Sequence, residues 1–532
     1  MYEATWKEQK LNKNELSKLK EDGLDVFKDL PELVKKPFSA IDPAYYMYFK
    51  YAGLTVQKPK KDGNFMMRVK IPGGILTTKQ GQHLADIAEI YGKGLLDITT
   101  RQSVQYHWIP FRKLPEIFEG LKTYGLTTTG AEGDITRNVI DNPLAGIDPF
   151  ELFDTRPAVR RVHQRFQNNR DYSNLPRKMK ISISSNVYNA GNAEINDLAF
   201  VPASKRINGR KILGFNVKVG GGLGALPQLG KPLDVFVTRS QVAELAEAVV
   251  TLYRDHGPRR NRAHARLKFL IQDWGLEKFE AELRQKLPKL PTAGKDELLG
   301  WNGGTVLGLH EQKQAGFYYL GIGVAAGRLP AADFRRFLQI ADNYGAGEVR
   351  FDHSQNLIIP GIPKQKLAAL KNETILLQYS DQEEYMANYG LACTGSQYCN
   401  LAHTRSKEIL NELLPKLDQR FTFKRPPRIV VTGCANGCAH RSIADIGIEG
   451  VAARNKNKEV IEAFKISLGG TLKTGGHFAQ TLRGVVPVGQ LEAVVTALLT
   501  LYQTHHQGET FAEYVERSGL AVFQKVLDTI IE

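Results

Sequence analysis

Residues 74–109 read GILTTKQGQHLADIAEIYGKGLLDITTRQSVQYHWI, and 253 positions later residues 327–362 read GRLPAADFRRFLQIADNYGAGEVRFDHSQNLIIPGI. Without a gap, Gly74, Leu76, Ile87, Ala88, Tyr91, Gly92, Gly94, Gln102 and Ile109 meet Gly327, Leu329, Ile340, Ala341, Tyr344, Gly345, Gly347, Gln355 and Ile362. Identities at one constant offset, a Tyr-Gly-x-Gly turn among them, mark an internal duplication and imply a pseudo-twofold axis. In the first copy Leu84, Ile87, Ala88 and Ile90 have helical spacing, flanked by strand-like runs at 65–71, 95–99 and 104–109. A weaker echo sets Leu175-Pro176-Arg177, followed by Asp197, against Pro426-Pro427-Arg428, followed by Asp445. The expected fold is therefore α+β: internally duplicated modules with pseudo-twofold symmetry, two small strand–helix–strand units plus two larger α/β lobes. Expected boundaries are an N-terminal extension at 1–60, a first small unit at 61–145 and a first lobe at 146–300. A second small unit at 301–375 and a second lobe at 376–532 follow. Residues 1 to about 36 are polar and charge-balanced, and read as a helical extension lying on the surface.

All four cysteines lie in one stretch, as Cys393-Thr-Gly-Ser-Gln-Tyr-Cys399 and Cys434-Ala-Asn-Gly-Cys438. Two close pairs of soft thiolates suit a tetrahedral metal or an iron–sulfur site. Gly395, Ser396, Gly433, Ala435, Gly437 and Ala439 beside them let backbone N–H groups approach the sulfurs. Two disulfides would suit a small secreted domain rather than a chain of 532 residues. A zinc ribbon separates its paired ligands by two to four residues. The spacers here are five and three, which favours a cluster.

These cysteine segments, with Ala444-Asp-Ile-Gly447 after them, resemble the siroheme-containing nitrite and sulfite reductases. The resemblance runs from about residue 40 to the C-terminus. It implies that the small units are ferredoxin-like half-domains and that the lobes enclose a central siroheme/[4Fe–4S] site. It also implies that Cys393, Cys399, Cys434 and Cys438 hold the cluster, with Cys438 shared with the siroheme iron.

Three basic segments are candidates for the opposite wall: Thr99-Thr-Arg101-Gln102, Arg137-Asn138 and Leu175-Pro-Arg-Lys178-Met-Lys180. Strand alternation sends Lys178 and Lys180 to one face. Taken alone, an Arg or Lys at a strand end is usually a solvated surface charge. The resemblance assigns Arg101, Arg137, Lys178 and Lys180 to the oxyanion substrate. Such an anion gains charge-assisted hydrogen bonds there, and lysine ammoniums can supply protons as oxygens leave as water. For the many carboxylates of siroheme, the same resemblance points to Arg262 and Arg266 in the densest basic run, Arg254–Lys268. Gln102, Gln105, His107, Arg350, Gln355 and Asn356 are softer candidates. The glycine-rich run VGGGLGAL at 219–226 superficially resembles a dinucleotide loop, but as a lone signal it reads equally as a turn near the macrocycle.

The net charge of +15 admits nucleic acid or acidic partners. Arginines are spread through structured text rather than massed in a tail, so anions are favoured: substrate, a polycarboxylate cofactor and an acidic electron donor such as ferredoxin. No nucleic acid and no membrane are expected, because the longest apolar run, Leu491 to Leu501, contains Glu492 and is too short to span a bilayer. Free thiols and the absence of a signal core point to the cytoplasm. The Cys393–Cys399 spacer looks like the nitrite-type, ferredoxin-type branch, whereas Lys178-x-Lys180 looks like the sulfite branch, where plant-type nitrite reductases have Lys-x-Asn. A second ammonium suits the more highly charged sulfite. The expectation is six-electron reduction of sulfite to sulfide with electrons from ferredoxin, with nitrite to ammonia as the alternative. A non-catalytic iron–sulfur protein binding nucleic acid is the rival of another class. Glu132 stands where some ferredoxin-type sulfite reductases have a cysteine cross-linked to tyrosine, so that link is expected to be absent.

Overall fold

The computed structural model of the chain describes residues 5–300, 306–379, 384–454, 457–473 and 476–531. The expected boundary at 300/301 abuts residues outside that set. The first copy of the duplicated text folds as Ile75–Thr77, Thr78–Tyr91, Leu95–Ile98 and Val104–Pro110; the second as Arg328–Pro330, Ala331–Asn343, Glu348–Phe351 and Leu357–Pro363. Thr77 starts the first helix with a capping box: its hydroxyl accepts from the Gln80 N–H (3.3 Å) and its own N–H donates to the Gln80 side chain (3.1 Å).

The two half-domains exchange a strand. One sheet runs Leu54–Val56, Asn64–Val69, Val104–Pro110, Leu95–Ile98, then Arg328–Pro330 from the second copy. The other runs Gly308–Glu311, Phe317–Ile322, Leu357–Pro363, Glu348–Phe351, then Ile75–Thr77 from the first. Arg328 stands opposite Asp97, and Arg350 opposite Ile75, so the pairings obey the same offset as the text. The shared residues explain themselves here. Gly74 (φ +75°) and Gly327 (φ +69°) press on the opposite copy: a Cβ would lie 2.5 Å from the Phe351 carbonyl oxygen in one case and 2.7 Å from that of Ile98 in the other. Gln102 donates to that same Phe351 carbonyl (3.1 Å), and Gln355 to that of Ile98 (2.8 Å). One core, containing Phe65, Leu84, Leu329 and Phe334, runs through both half-domains.

Each lobe carries a mixed sheet. In the first, Ile140–Asp141, Ile181–Ile183 and Leu198–Ile207 are parallel neighbours, continued antiparallel by Arg210–Val219 and Lys231–Thr238. The second repeats this with Leu391–Ala392, Ile429–Thr432, Ile446–Arg454, Val460–Leu468 and Gln480–Thr481. Since Ile140–Asp141 already belongs to the lobe's sheet, the first lobe begins before residue 146. The weaker echo is real but shifted by three residues. Asp197 accepts from the backbone N–H of Lys180 (2.7 Å), as Asp445 does from that of Arg428 (2.9 Å), so Lys180 rather than Arg177 is the counterpart of Arg428. The same register sets Asn142 and Asn186 against Cys393 and Cys434, and Asp148, six residues after Asn142, against Cys399. In the first lobe those positions are filled by hydrogen bonds: Asp148 accepts from Asn142 (2.5 Å) and from Asn186 (2.6 Å).

The N-terminal segment is not the surface extension expected from its polarity. Glu15 and Lys18, on the helix Lys13–Lys18, are buried, and Glu15 meets the fully buried Arg259 at 2.5 Å. Lys18 donates to the Leu175 carbonyl (2.8 Å) and lies 3.4 Å from Asp134. The segment clamps the basic run to the turn that carries Lys178.

Candidate active site

Both cysteine pairs sit where parallel strands of the second lobe end. Cys393 follows Leu391–Ala392 and donates its N–H to the Val431 carbonyl (3.2 Å); Cys434 follows Ile429–Thr432. Gly395 (φ +73°) turns the chain so tightly that a Cβ would stand 2.5 Å from the Ser406 nitrogen. Donors already face the sulfurs: Gly433 N–H to Cys393 (3.2 Å) and the Asn436 amide to Cys434 (3.4 Å), with the Ser406 hydroxyl 3.5 Å from Cys393. All four thiols are unpaired. Burial, and then the charge of Cys438, pushes Cys393 up to about 11, and Cys399 and Cys434 are raised as well, burial first. Sulfurs that repel one another's ionisation await a shared positive centre. Among the described residues no group of three or more His, Cys, Asp or Glu is arranged for a single metal ion. Spacers of five and three residues, with N–H donors facing the sulfurs, suit a cubane, which spreads its ligands over four corners.

The first half-domain reaches the cysteines directly. Thr100 donates to the backbone carbonyl of Cys438 (3.2 Å), and Gln105 to the Thr394 hydroxyl (2.9 Å). The next residue, Arg101, turns away from the cysteines into the first lobe, bonded to Asn196 (2.9 Å) and to the Asn138 carbonyl (2.7 Å), with its Nε buried and without a partner. Arg137 is held by the carbonyls of Ala131 (3.0 Å) and Gly133 (2.8 Å). Lys178 and Lys180 precede the strand Ile181–Ile183; buried Met179 between them, bridged to Thr136, sends both ammoniums to the opposite side. The four cations form one field. Arg101 and Arg137 remain charged guanidiniums even where burial presses on them. Lys178 is lowered to about 7 by burial, then by Arg137 and Arg266, while Cys438 pulls it back up. That last influence places Lys178 within electrostatic reach of the fourth cysteine. Lys180 is driven well below the ordinary lysine range by burial, then by Arg101, Lys178 and Arg266.

Around this field stand two residues that sequence reasoning passed over, Arg68 and Asp134, and one that it marked only through the echo, Asp197. Arg68, a lone charge in an apolar strand, ties Glu132 (3.1 Å) to Gln105 (2.7 Å). Asp134 takes Arg262 through both oxygens (2.6 and 2.9 Å) and Arg177 (3.2 Å); Asp197 takes Arg266 (2.7 Å). Arg68 and Asp134 gave no signal beyond an isolated charge, whereas Asp197 was marked by its echo in Asp445. The glycine-rich turn at 219–226 does lie here: a Cβ on Gly222 would meet the Arg266 guanidinium at 2.7 Å, and one on Gly437 would stand 3.8 Å from the Gly224 nitrogen.

The softer candidates have protein partners. Besides their cross-copy bonds, Gln102 accepts from the Asp141 N–H (3.0 Å) and Gln355 from that of Ala392 (3.2 Å), so each latches a half-domain to the strand opening a lobe. Arg350 is fully buried against Glu348 (2.7 Å) and the Pro143 and Ala145 carbonyls (3.1 and 2.8 Å). Asn356 donates to the Asn388 carbonyl (3.1 Å) and accepts from the Val324 N–H (2.9 Å). His107 lies between Gln57 (3.2 Å) and Asp97 (3.3 Å), behind the cysteine loop. These bonds account for the burial of all five.

Against known proteins, residues 132–290 and 391–531 match the nitrite and sulphite reductase 4Fe-4S domain, and residues 58–124 and 310–375 the nitrite/sulfite reductase ferredoxin-like half domain. This chain belongs to the nitrite and sulfite reductase family. Its similarity to curated relatives spans nearly the whole length: 36% identity to a ferredoxin–nitrite reductase of Synechococcus elongatus over 94% of this chain and 98% of the relative. Identity is 34% to an assimilatory ferredoxin-dependent nitrite reductase of Haloferax mediterranei, over 95% and 89%. The solved structure of the Mycobacterium tuberculosis NirA protein superposes with a TM-score of 0.92 at 30% identity, covering 98% of this chain and all of that one. As a member of this family the chain is an oxidoreductase that carries a [4Fe–4S] cluster and siroheme. The residues fit both groups: thiols with N–H donors already trained on them, and cations that far outnumber the carboxylates Glu132, Asp134 and Asp197. When bound, these groups supply electrons and an iron on which an oxyanion is held. Among the described residues no helix is long and apolar enough to cross a membrane.

Proposed function

We propose that this chain reduces nitrite to ammonia, a six-electron reaction with ferredoxin as donor. Support comes from its relatives, which are named ferredoxin–nitrite reductases and align over more than nine-tenths of the chain. Sulfite, the substrate expected from Lys178-Met-Lys180, has no comparable support, and the argument for it weakens on physical grounds. It required a second ammonium, yet burial and three neighbouring cations press Lys180 well below the ordinary lysine range. Each negative charge brought by a cofactor or substrate restores that proton, so Lys180 by itself favours neither substrate. The observation that carries the reading is this near full-length similarity to ferredoxin–nitrite reductases, and the influence of both Arg137 and Cys438 on Lys178 supports a shared site. In the proposed reaction Arg101 and Arg137 orient the anion and Lys178 donates a proton to a departing oxygen. An acidic donor such as ferredoxin suits the surplus positive charge of the whole chain. We place the enzyme in the cytoplasm, where four unpaired thiols persist. Steady-state turnover with reduced methyl viologen, then with reduced ferredoxin, tests the substrate. A kcat/KM for nitrite at least about tenfold above that for sulfite is expected; the reverse order would return the assignment to sulfite.

A further inference from the structure

Behind the Cys393–Cys399 loop lies a buried group of charges that plays no part in holding the oxyanion. Asp97, at the centre, is met by Arg328 through both oxygens (3.0 and 3.3 Å), by Lys407 at 3.6 Å and by His107 at 3.3 Å. Lys407 also donates to the Ala326 carbonyl and is 2% exposed; no other carboxylate reaches it among the described residues. Gln57 approaches His107 from the other side of the ring. Its carbonyl oxygen accepts from the Trp108 N–H (2.8 Å), which turns its amide nitrogen to Nδ1 of the ring (3.2 Å), while the Gln105 amide nitrogen stands 3.1 Å from Nε2. Burial lowers the ring's pKa and favours the neutral histidine. Two cations, Lys407 and Arg328, thus share the Asp97 carboxylate, and the charge of Glu408 also acts on Arg328.

These charges abut the cysteine loop on two sides. Lys407 follows Ser406, whose hydroxyl is 3.5 Å from the Cys393 sulfur, at the start of the helix Ser406–Asp418. Tyr398, the residue before Cys399, stacks on His107 (centroids 4.0 Å apart) beneath the Arg328 guanidinium at 5.2 Å. Although burial alone would raise Asp97, its neighbours, Lys407 first, hold it far below the ordinary carboxylate range.

We propose that Lys407, Arg328 and Asp97 are positioning residues for electron entry, each setting the reduction potential of the cluster through its own charge. This rests on the family assignment of a [4Fe–4S] cluster to the four cysteines. A cluster that accepts an electron gains negative charge, and in a low-dielectric interior a fixed cation close by stabilises the reduced form. The sign of each substitution follows. Lys407→Met removes a cation and makes the cluster harder to reduce; Asp97→Asn removes the anion and makes it easier. The double variant returns toward the wild type.

The test is a redox titration of the holoenzyme, following the electron paramagnetic resonance signal of the reduced cluster. At the potential where half the wild-type clusters are reduced, Lys407→Met is expected to lower the reduced-to-oxidised ratio about tenfold, roughly 59 mV for one electron. Asp97→Asn is expected to raise that ratio. Shifts of the same sign, or none in either variant, overturn the proposal, because loosened packing has no reason to reverse sign with charge. Should Lys407→Met not take up its cluster, Arg328→Gln, on a side chain 18% exposed, carries the same expected sign. Wild-type protein lacking a cluster signal would instead refute the cluster assignment itself.

Discussion

Replacing Glu15 by Gln separates a clamp from a surface extension. Glu15 is 2% exposed; one carboxylate oxygen meets Arg259, itself fully buried, at 2.5 Å and the other meets Lys18 at 2.6 Å. Arg259 otherwise bonds neutral groups: the Asn174 side chain (3.0 Å), the Asn174 carbonyl (2.8 Å) and the Arg254 carbonyl (2.9 Å). Glutamine keeps the shape but removes the only negative charge paired with Arg259 among the described residues. Removing one partner of a buried pair costs about 3–5 kcal/mol, and the amide's remaining acceptor argues for the lower end. For a lobe of this size, about 3 kcal/mol lowers the melting temperature by roughly 6–12 °C. The assay is thermal unfolding at low and high salt, with Glu32→Gln as control, since the Glu32–Lys35 pair is 73% and 67% exposed. The Glu15 effect should persist in high salt, because ions screen buried pairs poorly; the control should shift by little and lose even that. A Glu15→Gln melt within about 2 °C of wild type, or one matching the control, would refute the clamp.

Further expectations concern the site. Lys70 and Lys178 are both lowered to about 7, burial first, below their unfolded value of 10.5. The folded chain then binds fewer protons than the unfolded one between about pH 7 and 10. Stability of the cofactor-free protein should therefore rise with pH across that window, by up to roughly 1.4 kcal/mol per pH unit for the deeply buried Lys70. Urea midpoints measured from pH 7 to 10 check this, and Lys70→Met should flatten the slope by one proton; a flat wild-type profile would contradict it. Arg137→Gln and Lys178→Met each remove a charge-assisted hydrogen bond of about 1.5–3 kcal/mol, so kcat/KM for nitrite should fall roughly 10–150-fold while iron content stays at the wild-type level. Under the nitrite assignment Lys180→Asn should be far milder, within about threefold by the same assay.

Much of this architecture was legible in the text. A gapless offset between Gly74–Ile109 and Gly327–Ile362 carries the duplication, and two cysteine pairs with unequal spacers carry the cluster. The strand exchange was not legible, because Arg328 pairing with Asp97 is settled in space, by backbone hydrogen bonds between copies that no local pattern records. The reading that matched Arg177 with Arg428 followed like residues, whereas the structure follows the backbone N–H that each aspartate binds. Glu15 and Lys18 look solvated because the partners that bury them, Arg259 and Asp134, come from distant segments. The same holds for Lys180: its charge depends on Arg101 and Arg266, so one lysine in a motif could not decide between sulfite and nitrite.

Crystals of the purified holoenzyme, measured at the iron absorption edge, test the central arrangement most directly. Iron peaks should lie within bonding distance of all four sulfurs of Cys393, Cys399, Cys434 and Cys438, with one more iron set apart on the side of Cys438 that faces Lys178 and Arg137. A single metal peak between the cysteines, or iron remote from that cation-lined wall, would contradict it.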